Sequence, residues 1–109
     1  MEIKKTKVSG GGIKVTLEKE GQVLARAYLY VLSNDLHQEP FGLMEDVFVN
    51  ETRRGQGLGT RVVNELIQEA KKQKCYKLIT TSRYERPKVH KLYQRLGFRD
   101  HGKEFRMDF

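Results

Sequence analysis

Val49-Asn50-Glu51-Thr52-Arg53-Arg54-Gly55-Gln56-Gly57-Leu58-Gly59-Thr60 joins the end of a strand to the start of a helix through a glycine-rich turn. Three spaced glycines permit backbone shapes and close approaches that other residues resist. The helix that follows aims its unpaired N–H groups and the positive end of its dipole at one point, and Arg54 adds charge there. Such a point suits a phosphate or a pyrophosphate. The plainer alternative is a tight strand–helix turn with no ligand.

On the C-terminal side of that turn, Leu58, Val62, Val63, Leu66, Ile67 and Ala70 recur at helical spacing. Arg61, Glu65, Gln68, Glu69, Lys71 and Lys72 lie opposite, so a helix is expected over 58–74. On the N-terminal side, Leu43 to Val49 reads as a strand. Further back, Val23, Ala25, Ala27, Leu29 and Val31 share one face of a long strand, with Leu24, Arg26, Tyr28, Tyr30 and Leu32 on the other. Ile13, Val15 and Leu17 alternate with polar residues, and Glu20-Gly21-Gln22 reads as the hairpin turn between these two strands. Ile3 to Val8 is expected to be a short strand and Ser9-Gly10-Gly11-Gly12 a turn. Beyond the helix, the β-branched content of Tyr76 to Thr81 predicts a buried strand. Pro87 opens a second helix reaching about Arg95 and stopped by Gly97, and Phe98 and Glu104 to Phe109 are expected as short strands.

The first four strands can join by hairpins, whereas the helix over 58–74 must cross over to a parallel neighbour. The expected fold class is therefore α+β: a mixed, mostly antiparallel central sheet with helices packed on it, in one domain over residues 1–109.

Charge is unevenly placed. Residues 1–52 carry 6 Lys+Arg against 8 Asp+Glu, a net −2, and residues 53–109 carry 15 against 6, a net +9. A basic half suits a polyanion, either a phosphorylated cofactor or nucleic acid, although most of its lysines also fit solvated helix faces. Trp is absent and no basic strand is interleaved with aromatics, so nucleic acid is not the expected partner. No apolar run approaches the ~18 residues of a membrane span, and Met-Glu-Ile-Lys-Lys lacks a secretory apolar region. A lone Cys75 forms no internal disulfide, and no His/Cys cluster has metal-ligand spacing. A cytoplasmic protein with no membrane contact and no metal is expected.

The turn is neither of two familiar phosphate loops. A nucleoside-triphosphate loop needs Lys and Ser/Thr after its last glycine, and Gly59 is followed by Thr60-Arg61. A dinucleotide fingerprint needs other glycine spacing and an acidic residue closing the next strand, whereas 76–81 closes on Thr80-Thr81. Arg54-Gly55-Gln56-Gly57-Leu58-Gly59 instead resembles the Arg/Gln-x-x-Gly-x-Gly/Ala motif of the GNAT superfamily of N-acetyltransferases. Val49 stands where that family has a strand valine, and Tyr93-Gln94-Arg95-Leu96-Gly97-Phe98 looks like its second signature, Tyr-x-x-x-Gly-Phe. The resemblance covers about residues 22–109. Glu45 to Val49 and Cys75 to Lys77 resemble glucosamine-6-phosphate N-acetyltransferases. Arg86, His90 to Tyr93 and Gly102 to Arg106 look more like aminoalkylphosphonate and related small-amine acetyltransferases. The sequence departs from the family in two places: the two helices that roof the acceptor side are missing, and Arg86 replaces an Asn before the second signature.

The resemblance implies acetyl-CoA as the acetyl donor, with its pyrophosphate on the main chain of Arg54, Gly55, Gln56, Gly57, Leu58, Gly59 and Thr60. It places Val47, Phe48 and Val49 beside the pantetheine arm through their backbone groups, one N–H of which can stabilise an oxyanion. It makes Tyr93 the general acid for the departing thiolate, at the end of the cofactor channel. For the base the choice stays open among Glu45, Asp46, His37, His90 and water. Strict alternation puts Glu45 on the face of Val47 and Val49 and Asp46 on the other, which favours Glu45 unless a bulge intervenes. Glu45 and Asp46 also make an acidic approach for an ammonium substrate. Cys75 reads as a small buried hydrophobe. The expected activity is acetyl transfer to the primary amine of a small molecule. The alternatives are a protein or peptide N-acetyltransferase and a non-catalytic CoA-binding regulatory module. A homodimer is expected because the stripped acceptor side would otherwise expose apolar surface.

Overall fold

The computed structural model describes residues 1–109. Strands β1 (Gly10–Lys19), β2 (Gln22–Leu32), β3 (Phe41–Val49) and β4 (Leu78–Thr80) form one sheet in the order β1-β2-β3-β4. The first two pairings are antiparallel and the third is parallel. Helix α1 (Leu58–Lys72) makes the crossover that a parallel β3–β4 pair requires, and α2 (Pro87–Arg95) follows β4. The mixed, mostly antiparallel sheet with helices on it is the expected class.

Between β1 and β2 the chain turns through Glu20 (φ 52°) and Gly21 (φ 77°), both left-handed as a tight two-residue hairpin demands. α1 lays Leu58, Val62, Val63, Leu66 and Ala70 on Leu24, Ala25, Ala27, Leu29 and Met44, and this set is the core. Partly buried side chains from β1 (Ile13, Val15, Leu17) and from Val47, Val49, Leu78, Tyr93, Leu96 and Phe98 seal its rim. Gly42, buried in β3, lets neighbours close in. A Cβ there would lie 2.9 Å from Leu78 Cδ1 and 3.0 Å from Leu29 Cδ1. The sheet face turned away from α1 is aromatic and carries its own cations. Tyr28 and Tyr30 stack at 6.4 Å between centroids, Lys14 Nζ sits 5.6 Å over Tyr28, and the Arg26 guanidinium lies 4.6 Å over Phe48.

Several expected elements differ. Ile3 to Val8 forms no strand, so three strands and not four precede α1. That segment has Lys4, Lys5 and Lys7 against two apolar residues and stays exposed, with too little to bury. Gly10-Gly11-Gly12, expected as a turn, opens β1 and pairs with Leu32, Val31 and Tyr30. Of Tyr76 to Thr81 only Leu78–Thr80 pairs, and the helix expected to 74 ends at Lys72. Phe98 and Glu104 to Phe109 are not strands, because no neighbouring strand lies beside them. No helix is long and apolar enough to cross a membrane.

Candidate active site

The glycine turn forms where β3 hands over to α1. Asn50 closes the strand: its N–H donates to the Leu24 carbonyl at 2.8 Å, and its side chain accepts from Thr52 N–H at 3.1 Å. One turn of 3-10 helix (Glu51–Arg53) follows. Gly55 (φ 84°) and Gly57 (φ 75°) then take left-handed backbone conformations that a side chain would strain. Gly57 is the N-cap of α1 and has no side chain to satisfy the first turn. The earliest helical hydrogen bond is Arg61 N–H to the Gly57 carbonyl, at 3.1 Å. The N–H groups of Leu58, Gly59 and Thr60 are therefore without a protein acceptor, at the positive end of a 15-residue helix. This is an anion cradle by geometry and by charge.

A cavity of about 240 Å³ sits over the cradle, lined by Val49, Arg54, Gly55, Gly57, Leu58, Gly59, Thr60, Lys88, Leu92 and Arg95. Three cations and no carboxylate face it. Of the expected cofactor-binding residues, Gln56 is exposed on the turn and outside this lining, and Val47 and Phe48 lie further back along β3. Lys88, Leu92 and Arg95 were not expected there. They arrive because α2 docks on the first turn of α1. Leu92 Cδ2 would touch a Cβ on Gly59 at 3.6 Å, and Arg95 Nη2 donates to Thr60 Oγ1 at 3.3 Å. The only trace of this in the sequence is the basic spacing of α2.

β3 opens the way from the cradle into the molecule. Its register with β2 slips between Arg26↔Phe48 and Tyr28↔Glu45, which inserts one extra residue in β3 around Asp46 and Val47. Asp46 adopts φ 52°, a left-handed conformation in a non-glycine residue. Strict alternation therefore fails at this point. Met44, Val47 and Val49 turn toward the core, and Glu45 pairs opposite Tyr28 on the other side, so Glu45 does not share the face of Val47 and Val49. β4 pairs with β3 only at Gly42, Leu43 and Met44, and the edge of β3 from Glu45 to Val49 is left open. Main-chain groups along that edge are available to an extended ligand arm.

Tyr93, on α2, is half-buried, its ring 5.4 Å from that of Phe98. Burial raises the pKa of its phenol above the usual value; contact with the Thr80 hydroxyl lowers it in part, and the Glu45 carboxylate pushes it up again. Thr80 Oγ1 is itself held by the Met44 carbonyl, at 3.0 Å. Tyr93, Thr80 and Glu45 thus come together next to the open edge of β3, and the phenol keeps its proton at neutral pH. Asp46 is exposed. His37 packs its ring 4.8 Å from that of Tyr76, whose N–H binds the Pro40 carbonyl just before β3 starts. That is the end of the strand away from the cradle. His90 is tied by Nε2 to the Arg83 carbonyl at 2.8 Å, so this nitrogen is the donor. Burial raises the thiol pKa of Cys75, which keeps it a thiol. No group of three or more His, Cys, Asp or Glu side chains is placed to hold a metal ion.

A mixed sheet whose parallel strands part beside a basic, glycine-lined helix N-terminus places unpaired main-chain donors, three cations and an open strand edge side by side. The chain belongs to the acetyltransferase (GNAT) family, which it matches over residues 4–98. It is similar to a protein of Oryza sativa subsp. japonica named probable glucosamine 6-phosphate N-acetyltransferase 2, with 35% identity over 91 residues, 83% of this chain and 53% of that protein. A glucosamine 6-phosphate N-acetyltransferase of Trypanosoma brucei brucei is 37% identical over 62% of this chain and 44% of its own length. The chain thus spans about half the length of these curated relatives. Among solved structures, the glucosamine-6-phosphate N-acetyltransferase from Arabidopsis thaliana superposes with a TM-score of 0.80 at 28% identity, covering 90% of this chain and 67% of that one.

Proposed function

We propose that this chain is an acetyl-CoA-dependent N-acetyltransferase that moves an acetyl group to a primary amine of a small molecule by direct attack. The observation that carries this is the cradle: three N–H groups without acceptors, ringed by Arg54, Lys88 and Arg95, at the mouth of an open strand edge. A nucleotide diphosphate head fits the first part and a pantetheine arm the second. Gly55, Gly57, Leu58, Gly59 and Thr60 hold the pyrophosphate through the main chain, with Gln56 at the outer rim. Val47, Phe48 and Val49 offer backbone groups to the arm. Acetyl-CoA supplies an activated carbonyl and a thiolate leaving group.

Tyr93 gives its proton to the thiolate, since its phenol remains protonated across the neutral range. Glu45, half-buried and close enough to Tyr93 to raise its pKa, takes the proton from the attacking ammonium, directly or through water. Asp46, exposed at the bulge, attracts the ammonium. The attachment of His37 to Tyr76 and of His90 to Arg83 argues against either as base. The relatives named for a phosphorylated amino sugar support a small amine as acceptor. The domain works as one unit over residues 1–109, in the cytoplasm.

Titration calorimetry with acetyl-CoA, followed by thiol release across a panel of amines and peptides, tests this. Binding with turnover on small amines supports it. Binding without turnover on any amine makes the chain a CoA-binding regulatory module, and turnover on peptides alone makes it a peptide acetyltransferase. No binding removes the cradle assignment altogether.

A further inference from the structure

β4 leaves β3 at a definite rung. Gly42 N–H donates to the Lys77 carbonyl at 2.9 Å, and the register Gly42↔Leu78, Leu43↔Ile79, Met44↔Thr80 is parallel. A parallel ladder repeats every second residue, so the Met44 carbonyl is the next acceptor and Thr81 N–H its regular donor. That rung is missing. Thr81 N–H binds no backbone carbonyl, and β4 ends at Thr80. Thr80 Oγ1 donates to the Met44 carbonyl instead, at 3.0 Å and from 36 residues away in sequence. The side chain thus replaces a backbone rung, and the carbonyl of a residue only 1% exposed keeps a partner.

The same hydroxyl touches the phenol of Tyr93. Helix α2, which carries Tyr93, gives no fully buried side chain to the core. The ring is therefore fixed from outside its own helix. Gly97 (φ 107°) turns the chain back, Phe98 N–H donates to the Tyr93 carbonyl at 2.9 Å, and the Phe98 ring packs on that of Tyr93. Phe98 holds the flank of the ring, and Thr80 meets its hydroxyl end. A threonine hydroxyl has one proton and two lone pairs. With its proton on the Met44 carbonyl, it accepts from the neutral phenol; turned round, it donates to a phenolate. Either way the phenol oxygen stays beside the edge of β3 that β4 has vacated.

We propose that Thr80 is a positioning residue for acetyl transfer: its hydroxyl, anchored on the Met44 carbonyl, holds the Tyr93 phenol where β3 and β4 part. The inference rests on the reading of Tyr93 as general acid. It adds that the acid is aligned from the part of β3 that is paired on both sides. Donation to the phenolate also eases loss of the proton as the thiolate leaves. In keeping with this, the Thr80 contact opposes the rise that burial and Glu45 impose on the phenol.

Steady-state kinetics of Thr80→Val and Thr80→Ser, beside wild type and Tyr93→Phe, test the proposal. Valine keeps the side-chain shape and removes the hydroxyl. Its kcat falls about 10-fold or more, while KM for donor and amine stays within about 2-fold. Serine keeps the hydroxyl and recovers most of the loss. In the Tyr93→Phe background Thr80→Val costs nothing further, because no phenol is left to hold. Circular dichroism checks that each variant folds, and Thr80→Ala replaces valine if valine does not. Carbon-13 resonance of Tyr93 gives a readout that needs no turnover: its titration in Thr80→Val moves up by roughly half a unit. Full kcat in Thr80→Val, a serine variant as slow as valine, the same loss without the phenol, or an unmoved titration overturns the proposal. Failure of the underlying reading looks different: wild type then transfers no acetyl group, or Tyr93→Phe is as fast as wild type, and the role of Thr80 falls with it.

Discussion

The two ends of β3 were built under different constraints. Near its start, Gly42 to Met44 is clamped between β2 and β4, Gly42 is buried, and neighbouring leucines leave no room for a side chain. At its end, Glu45 to Val49 loses the β4 partner, takes in an extra residue at Asp46 and empties into a turn with unused N–H groups. The first stretch is packing and the second is availability. A protein that satisfied every backbone group along β3 would have nowhere to put a ligand arm. On the proposed reading, the site comes from stopping a parallel strand pair early, with the glycine turn placed just beyond the gap.

If this division holds, substitutions at the open end change chemistry and binding while leaving stability nearly intact. Tyr93→Phe is the largest. Loss of a general acid lowers kcat by about 10²–10⁴-fold with little change in the donor KM. The sign of the pH effect is fixed by burial. A phenol whose pKa is raised in the folded state keeps its proton beyond the ordinary value near 10, so the acid stays competent through neutral pH and fails only above that. The same shift contributes stability that is fully present below the unfolded pKa and is lost as pH rises through the folded one. The kcat–pH profile and alkaline unfolding of Tyr93→Phe against wild type check both, and unchanged turnover removes Tyr93 from the reaction.

Gly59→Asp comes next. A Cβ at Gly59 meets Leu92 and Val49 only at ordinary contact distances, 3.6 and 3.7 Å, so the fold tolerates it. Its carboxylate enters the cradle and opposes the pyrophosphate. Acetyl-CoA affinity falls by about 100-fold, the scale of losing a charge-assisted contact and gaining repulsion, and calorimetry reads it directly. At the clamped end the outcome reverses. Gly42→Ala pushes on Leu78 and Leu29 and costs about 1–3 kcal/mol in chemical denaturation. The affinity of the folded fraction for acetyl-CoA stays near wild type. A Gly42→Ala protein that loses binding in proportion to stability would merge the two ends into one.

How much of this was legible follows from how local each feature is. The cradle was, because Gly55, Gly57 and Gly59 and the periodicity of α1 are written in adjacent residues. So was the core face of β2, whose alternation runs unbroken through Ala25, Ala27 and Leu29. The bulge was not: one inserted residue leaves no compositional mark, and alternation counted through Asp46 assigned Glu45 to the wrong face. Lys88 and Arg95 were also hidden. Their place at the cavity depends on α2 docking on α1, and Arg95 reaches Thr60 from 35 residues away in sequence. The strand expected over Glu104 to Phe109 does not form, because a strand needs a neighbour and none lies beside that segment. Local rules break at Asp46, where the proposed approach of the amine lies.

Lys88→Ala is a gentler probe of the open end. Its ammonium faces the cavity without belonging to the main-chain cradle, so removing it lowers acetyl-CoA affinity by roughly 5–10-fold at low salt and by less as salt screens it. A salt-independent loss would mean Lys88 acts by packing instead of by charge.

Asp46→Gly has the smallest expected effect and bears most directly on the contrast. At φ 52° aspartate pays a left-handed penalty of about 1 kcal/mol that glycine avoids, offset in part by the greater freedom of glycine when unfolded. Thermal melting therefore shifts up by at most a few degrees. If the charge draws the ammonium to the bulge, KM for the amine rises a few-fold while kcat and donor affinity stay level. A bulge kept only for its backbone shape would give the stability gain with no change in amine KM. Asp46→Asn separates the two further, since asparagine tolerates the same φ and removes only the charge.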